Sequence, residues 1–260
     1  MNNKFVCGSK AEWRAAYLDE PKMVKHFMTP SDRSNQLPRD KIDREYVVSA
    51  ALAIIDGTGL DSLTIRSLGV SIDRDPMTIY RYVPTKEALL DAVADSILGG
   101  LVAVDETDTD WRRQLTIFAR HYRELALEHP RAAVLLATRP RATPLGLGTT
   151  RSLVALEGIL GLLATGGFTV PEALSAYRLL MSLLRGHVLS ETQETTDHPD
   201  ETGDRLSLAL RRLPIEDFPI MSVIPPLITE YDGAHELNRG LDVLFNGLHR
   251  ARSGAPDSSP

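Results

Sequence analysis

Within one short stretch of this chain Asp43, Thr64, Asp75 and Thr85 each stand just ahead of an apolar pattern with helical spacing, and no strand pattern lies between them. A short polar side chain at that place accepts a hydrogen bond from an orphan amide of a helix's first turn, so the stretch is committed to consecutive short helices. After Asp43, the residues Tyr46, Val47, Ala50, Ala51, Ile54 and Ile55 form one amphipathic stripe, which the Gly57-Thr58-Gly59 turn stops. Thr64 precedes Ile65, Leu68 and Ile72, a helix of about two turns. Asp75-Pro76 places a capping carboxylate before a proline at the first helical position and predicts a helix over 76–83. Thr85 starts a fourth helix, Lys86 to about Leu101, with Leu89, Leu90, Val93, Ile97 and Leu98 on one face.

Helical stripes continue over 110–128, 132–138, 145–164, 170–193 and 234–250, while 102–109, 194–204 and 213–232 are rich in Asp, Thr, Gly or Pro and read as breaks. The fold class is therefore all-α: a module of three short helices followed by a second helical domain. The expected organisation is an extension over 1–37, the helix-turn-helix domain over 38–86, the second domain over 87–251 and a flexible tail over 252–260. With 260 residues, 43% hydrophobic and 25% charged, the chain has material for a real core, which excludes mini-proteins and wholesale disorder.

The longest uncharged stretch, Gly158 to Pro171, is too short and Gly-rich to span a bilayer. The N-terminus lacks an apolar secretion core, and the lone Cys7 cannot form an intrachain disulfide. No membrane association and a cytoplasmic location are expected. The net charge of −6 is uneven: +2 over 1–37, zero over 38–86 and −8 over 87–260. Charge alone does not point to a polyanion, so motif must carry that argument.

Two short helices joined by a tight turn, the second opened by a capped proline, match a helix-turn-helix, whose second helix enters the DNA major groove. In that helix Ile79 and Val83 share one side, while Met77, Thr78, Tyr80 and Arg81 project from the other. Such a face suits DNA: Thr hydrogen-bonds or touches a thymine methyl, Met adds apolar contact, and Tyr and Arg reach phosphates or guanine.

The stretches "AALAIIDGTGLDSLTIRSL" and "PMTIYRYVPTKEALLDAV" resemble the DNA-binding module and fourth helix of the tetracycline-repressor (TetR) family of transcription regulators. The resemblance implies that Thr78 and Met77 touch bases, Tyr80 and Lys86 phosphates, and Arg66 a base edge or phosphate, with Thr64 beside it on the DNA side. It implies a double-stranded DNA operator, a small-molecule effector and a homodimer as partners, and no cofactor. Where the family usually has Gly-Val-Ser between the two helices, this chain has Asp73-Arg74-Asp75. Two carboxylates near phosphates weaken or narrow DNA binding, and Arg74 removes a core contact.

The segment from Ala137 to Glu191 resembles the ligand-binding and dimer domain of the tetracycline-repressor subgroup, with Thr138-Arg139-Pro140 at the inner end of a pocket helix. A His that binds metal in that subgroup is replaced by Leu135, so no family-type metal site is expected. The candidate effector residues are Trp111, Phe118, Tyr122, Leu135 and Met181 as apolar walls, with Thr138, Arg139 and His187 as polar anchors. Leu179, Leu180, Leu183, Leu184 and Val188 with Ser182 and Gly186, and Leu241, Leu244, Phe245 and Leu248, form two stripes suited to a four-helix dimer bundle.

His187 and Glu191, like His121 and Glu124, have metal-like helical spacing but lack a third ligand, so a hydrogen-bonded helix pair or pocket wall is the favoured reading. For Arg139 and Arg185 an ion pair and a ligand anchor stand equal. No phosphate loop, Cys–His pair or nucleophile elbow is present, and Asp108 and Asp110 read as helix caps, so no enzyme is expected. A ligand-binding or protein-interaction module that kept the fold and lost DNA affinity is the alternative function.

Overall fold

A computed structural model describes residues 42–101, 105, 108–138, 150–197, 208–210, 212–214, 216–229 and 231–253. The expected N-terminal extension, most of the tail and Arg139 lie outside them. The described residues form helices and turns with no strand.

Helix α1 (Arg44–Thr58) starts where Asp43 accepts from the Tyr46 amide at 2.8 Å and ends at Gly59, whose φ of 90° only glycine adopts freely. Helix α2 (Ile65–Ser71) opens with a capping box in which Thr64 and Ser67 each accept the other's backbone amide at 2.9 Å. Helix α3 (Pro76–Ile79) starts at Asp75, which accepts from the Met77 amide at 2.7 Å, and α4 (Lys86–Ile97) is capped by Thr85. Four cap residues legible in the sequence thus sit where the chain needs them.

Helices α5 (Trp111–Glu128), α6 (Pro130–Thr138), α7 (Thr150–Thr165), α8 (Val170–Asp197), α9 (Pro225–Thr229) and α10 (Gly233–Ser253) complete the described set. Helix α8 is the central post, packed by α5, α6, α7 and α10. The head, α1 to α3, joins this core through α4 and through packing of α1 on α4 and α6. One continuous apolar core runs from Val47 to Phe245.

Several element boundaries differ from expectation: regular helix in α4 ends at Ile97 and gives way to a 3-10 turn (Leu98–Gly100), and α10 runs on to Ser253, into the expected tail. Regular α-helix in the reading segment stops at Ile79 instead of Val83, because Arg81 and Tyr82 bond three residues back, to Thr78 (3.2 Å) and Ile79 (2.9 Å), tightening the last turn. Helix α8 continues to Asp197, into the expected break at 194–204. The 213–232 stretch, read as a break, contains a 3-10 turn (Met221–Val223) and α9, whose leading Pro225 has the φ a first helical position requires.

At the turn between α2 and α3, Asp73 takes a φ of 54°, a left-handed conformation that Asp tolerates better than most residues. A Cβ at Gly69 would lie 2.7 Å from the Arg74 carbonyl oxygen, so only glycine lets the two backbones pass this closely. Arg74 is half-buried and donates from Nη1 to the Asp73 carbonyl at 2.7 Å.

A buried ion pair ties α5 to α8. Arg123 donates from Nε and Nη2 to Glu191 at 2.8 and 2.5 Å, with side chains 18% and 9% exposed. The hydrogen bond to Glu191 raises the Arg123 pKa above its ordinary range, against the cost of burial. A Cβ at Gly233, at the start of α10, would collide with the Glu191 carboxylate, so a larger residue there would force Glu191 to shift. The carboxylate thus also faces the positive end of a helix. Removing one partner strands a buried charge, so Arg123→Ala should cost about 3 kcal/mol in urea unfolding, whereas replacing both partners with Met and Leu should cost clearly less.

Candidate nucleic-acid interface and effector core

Ile79 and Val83 are fully buried against the head's core, which includes Ala51, Ile55 and Leu68. With that side sealed, Met77 (71% exposed) and Tyr80 (43% exposed) stand outward, joined by exposed Arg81 and half-buried Thr78. Exposed apolar and aromatic side chains gathered on one short helix leave a surface that hydration alone does not explain. Thr64, Arg66 and Lys86 are also exposed, Thr64 as the cap of α2 and Lys86 as the first residue of α4. Beside them an open hollow of about 530 Å³ is lined by Arg66, Gly69, Val70, Asp73, Arg74, Asp75 and Pro76. Val70, 78% exposed and one turn beyond Arg66, is an apolar surface residue that sequence reasoning missed, although it lies opposite the Ile65, Leu68 and Ile72 stripe.

Apart from His187, the described candidate effector residues fall into three places. Phe118 and Tyr122 on α5, Leu135 on α6 and Met181 on α8 are all buried on helices that pack together. Trp111 sits about 16 Å along α5 from Tyr122 at 1.5 Å per residue. There it meets Phe168 and Phe245 edge-on at centroid distances of 5.1 and 5.3 Å, with the Arg112 guanidinium 5.3 Å from its ring centre. Thr138 is exposed at the end of α6, its hydroxyl donating to the Val134 carbonyl at 2.7 Å.

His187 approaches Glu191 at 3.4 Å, within ion-pair range, yet its buried Nε2 makes no hydrogen bond, while Arg123 bonds both oxygens of that carboxylate. No group of three His, Cys, Asp or Glu side chains that could hold a metal ion occurs among the described residues. Of the two carboxylates read as caps, only Asp110 caps α5, accepting from the Arg113 amide at 3.1 Å; Asp108 instead accepts from the Asp110 amide at 3.0 Å, in the turn before the helix. Asp108 also pairs with the Arg113 guanidinium at 2.5 Å. That hydrogen bond, then the Asp110 amide, hold its carboxyl below the usual range.

The apolar stripes proposed for a dimer divide on inspection. Leu180, Leu184, Val188, Leu241 and Phe245 are consumed by the chain's own core, and Leu183 lies against Gly240 of α10. What α8 and α10 leave outward is Leu179 (48% exposed), Ser182, Gly186 and Val243 (76% exposed).

Comparison with known proteins gives a consistent picture. Residues 104–252 match the family model described as "Tetracyclin repressor-like, C-terminal domain". An HTH-type transcriptional regulator of Saccharopolyspora erythraea is 30% identical over 223 residues, 85% of this chain and 90% of the relative. The class D tetracycline repressor protein of Escherichia coli is 30% identical, covering 80% of this chain and 89% of the relative. Among solved structures, the Streptomyces coelicolor TetR family protein ActR in complex with (S)-DNPA superposes with a TM-score of 0.67 at 26% identity, covering 81% of this chain and 98% of ActR.

Because Thr78 and Tyr80 project away from the buried Ile79 and Val83, Tyr80→Ala or Thr78→Ala should abolish binding to the cognate DNA in a mobility-shift assay while leaving the melting temperature within about 2 °C of the parent. Lys86→Ala should instead weaken binding to all duplexes alike and lower the slope of log K against log salt by about one.

Proposed function

The chain belongs to the tetracycline-repressor family of transcriptional regulators, and from that premise we propose that it is a homodimeric repressor released from its DNA operator by a hydrophobic, partly oxygenated or anionic small molecule. The observation that carries this reading is the sealed and open division of the reading segment: Ile79 and Val83 have no exposed surface, while Met77 and Tyr80 stand in solvent. On a helix opened by a capped proline after a tight turn, this outward face is the one that would meet DNA.

In this reading α3 of each protomer enters the major groove, and the two heads meet half-sites about one helical turn of DNA apart. Arg66, Tyr80, Arg81 and Lys86 supply positioning and base-edge contacts, with Met77 and Thr78 reading bases. Asp73 and Asp75 set a limit on affinity, because carboxylates near phosphates are repelled; Asp75 is partly excused by its task of capping α3. The effector acts through its different affinity for the DNA-bound and released states, and Phe118, Tyr122, Leu135 and Met181 offer it apolar walls. The protein acts where its DNA is, in the cytoplasm, and no described helix is long and apolar enough to cross a membrane.

The test is a salt-dependent mobility shift on DNA from the chain's own upstream region; absence of any shift would favour the interaction-module alternative. Leu179, Ser182, Gly186 and Val243 are the main dimer contacts in this reading, because Leu180, Leu184, Val188, Leu241 and Phe245 are buried within the chain and Leu183, Leu244 and Leu248 are half-buried against its core. Val243→Glu should therefore give monomers in sedimentation and lose operator binding together, without loss of folding. A screen of small molecules in the presence of EDTA should find effectors that release the DNA, since Leu135 offers no metal ligand. Arg139→Ala should raise the concentration needed by roughly tenfold, about 1.4 kcal/mol. Release that requires magnesium would overturn this assignment.

A further inference from the structure

We propose that His129 and Arg131 are positioning residues that latch the reading head to the effector core, so that a shift of α6 is delivered directly to α1 as well as through the covalent link of α4. The proposal rests on the regulator reading above and adds the contact by which the two parts of the chain are coupled.

The last carbonyls of an α-helix have no partners within it, and the end carries partial negative charge that a cation satisfies. Helix α1 has no basic residue in its last turn. Its cation comes instead from a distant part of the chain: Arg131 Nη1 donates to the Asp56 and Gly57 carbonyls at 2.8 and 2.7 Å. Beside it, His129 Nδ1 lies 2.7 Å from Asp56 Oδ2, with side chains 27% and 32% exposed. The other oxygen of that carboxylate, Oδ1, is buried and makes no hydrogen bond, so His129 is the partner through which Asp56 is held.

Both latch residues are anchored on the core side. The His129 carbonyl accepts from the Ala132 and Ala133 amides at 2.9 and 2.8 Å and so caps α6, while its own amide donates to Ala126 of α5 at 3.2 Å. Ala132, Ala133, Leu135 and Leu136 bury α6 in the core, where α8 packs on it. Helix α6 therefore holds the head at its first residues and carries the candidate effector residues Leu135 and Thr138 on its later turns. A rigid helix of nine residues joins the two. Helix α6 touches both the head, at α1, and the effector core, so a change in its position is felt at both.

The experiment needs no effector, because coupling is reciprocal and DNA serves as the ligand. Hydrogen–deuterium exchange is followed in the full chain, free and with a duplex from its own upstream region, for the parent, for His129→Asn with Arg131→Gln, and for Arg131→Lys. In the parent, DNA should slow exchange in 130–138 by about fivefold or more. In the double variant that protection should fall by at least half and exchange in the last turn of α1 should rise, while α8 and α10 exchange as in the parent. Arg131→Lys keeps a cation at the helix end and should recover most of the protection. If the double variant transmits protection as fully as the parent, or if exchange rises across all helices together, the latch is overturned. If the parent binds no such DNA, the regulator reading fails separately, and free-protein exchange decides the latch: selective loosening of α1 supports it, and uniform or no change overturns it.

Discussion

A helix of one turn does not hold itself together in water, since nucleating it costs more than its few hydrogen bonds return. The four residues of α3 exist as a helix because Ile79 and Val83 are sealed in the head and because Asp75 and Pro76 fix its first turn. Everything the protein can do to DNA depends on this seal. It sets which side chains face outward, and it makes the orientation of α3 a property of the whole head. Gly69 belongs to the same constraint, since any larger residue would push α2 off the Arg74 carbonyl and tilt the reading helix.

If the head is one rigid piece, what matters next is how it is carried. Helix α4 provides the covalent route, and the apolar core continues without interruption from α1 into α8. Polar contacts add direction to this packing. The Arg123–Glu191 pair sits where α5, α8 and the start of α10 meet, and its two hydrogen bonds demand one angle where apolar side chains would accept several. The contacts of His129 and Arg131 with the end of α1 play the same part at the border between head and core. Apolar burial supplies most of the cohesion, and these few charged hydrogen bonds supply the register.

Helix starts were the most legible part of the sequence, because a cap acts over three or four residues. Asp43, Thr64, Asp75, Thr85 and Asp110 all accept the amide their position implies. Helix ends were less legible: α3 tightens after Ile79 and α8 runs on through polar residues to Asp197, since packing and turn geometry decide where a helix stops. The outward face of α3 followed from the position of Ile79 and Val83 alone. The effector core was only partly legible. Phe118 and Tyr122 read correctly as inward, yet nothing in the residue pattern separates them from Trp111, whose partners Phe168 and Phe245 lie on other elements.

By itself, the sequence determined the all-α class, the order and starts of the helices and the chemistry of the reading face, because caps, apolar period and residue type are local properties. Only the tertiary structure decided which leucines of α8 remain outward, that Glu191 pairs with Arg123, and that the end of α1 takes its cation from α6. Those pairs are separated by 68 and 75 residues in the chain. No local periodicity links such partners; they meet because burying apolar faces brings their helices together, and a charge carried along must then find its opposite there.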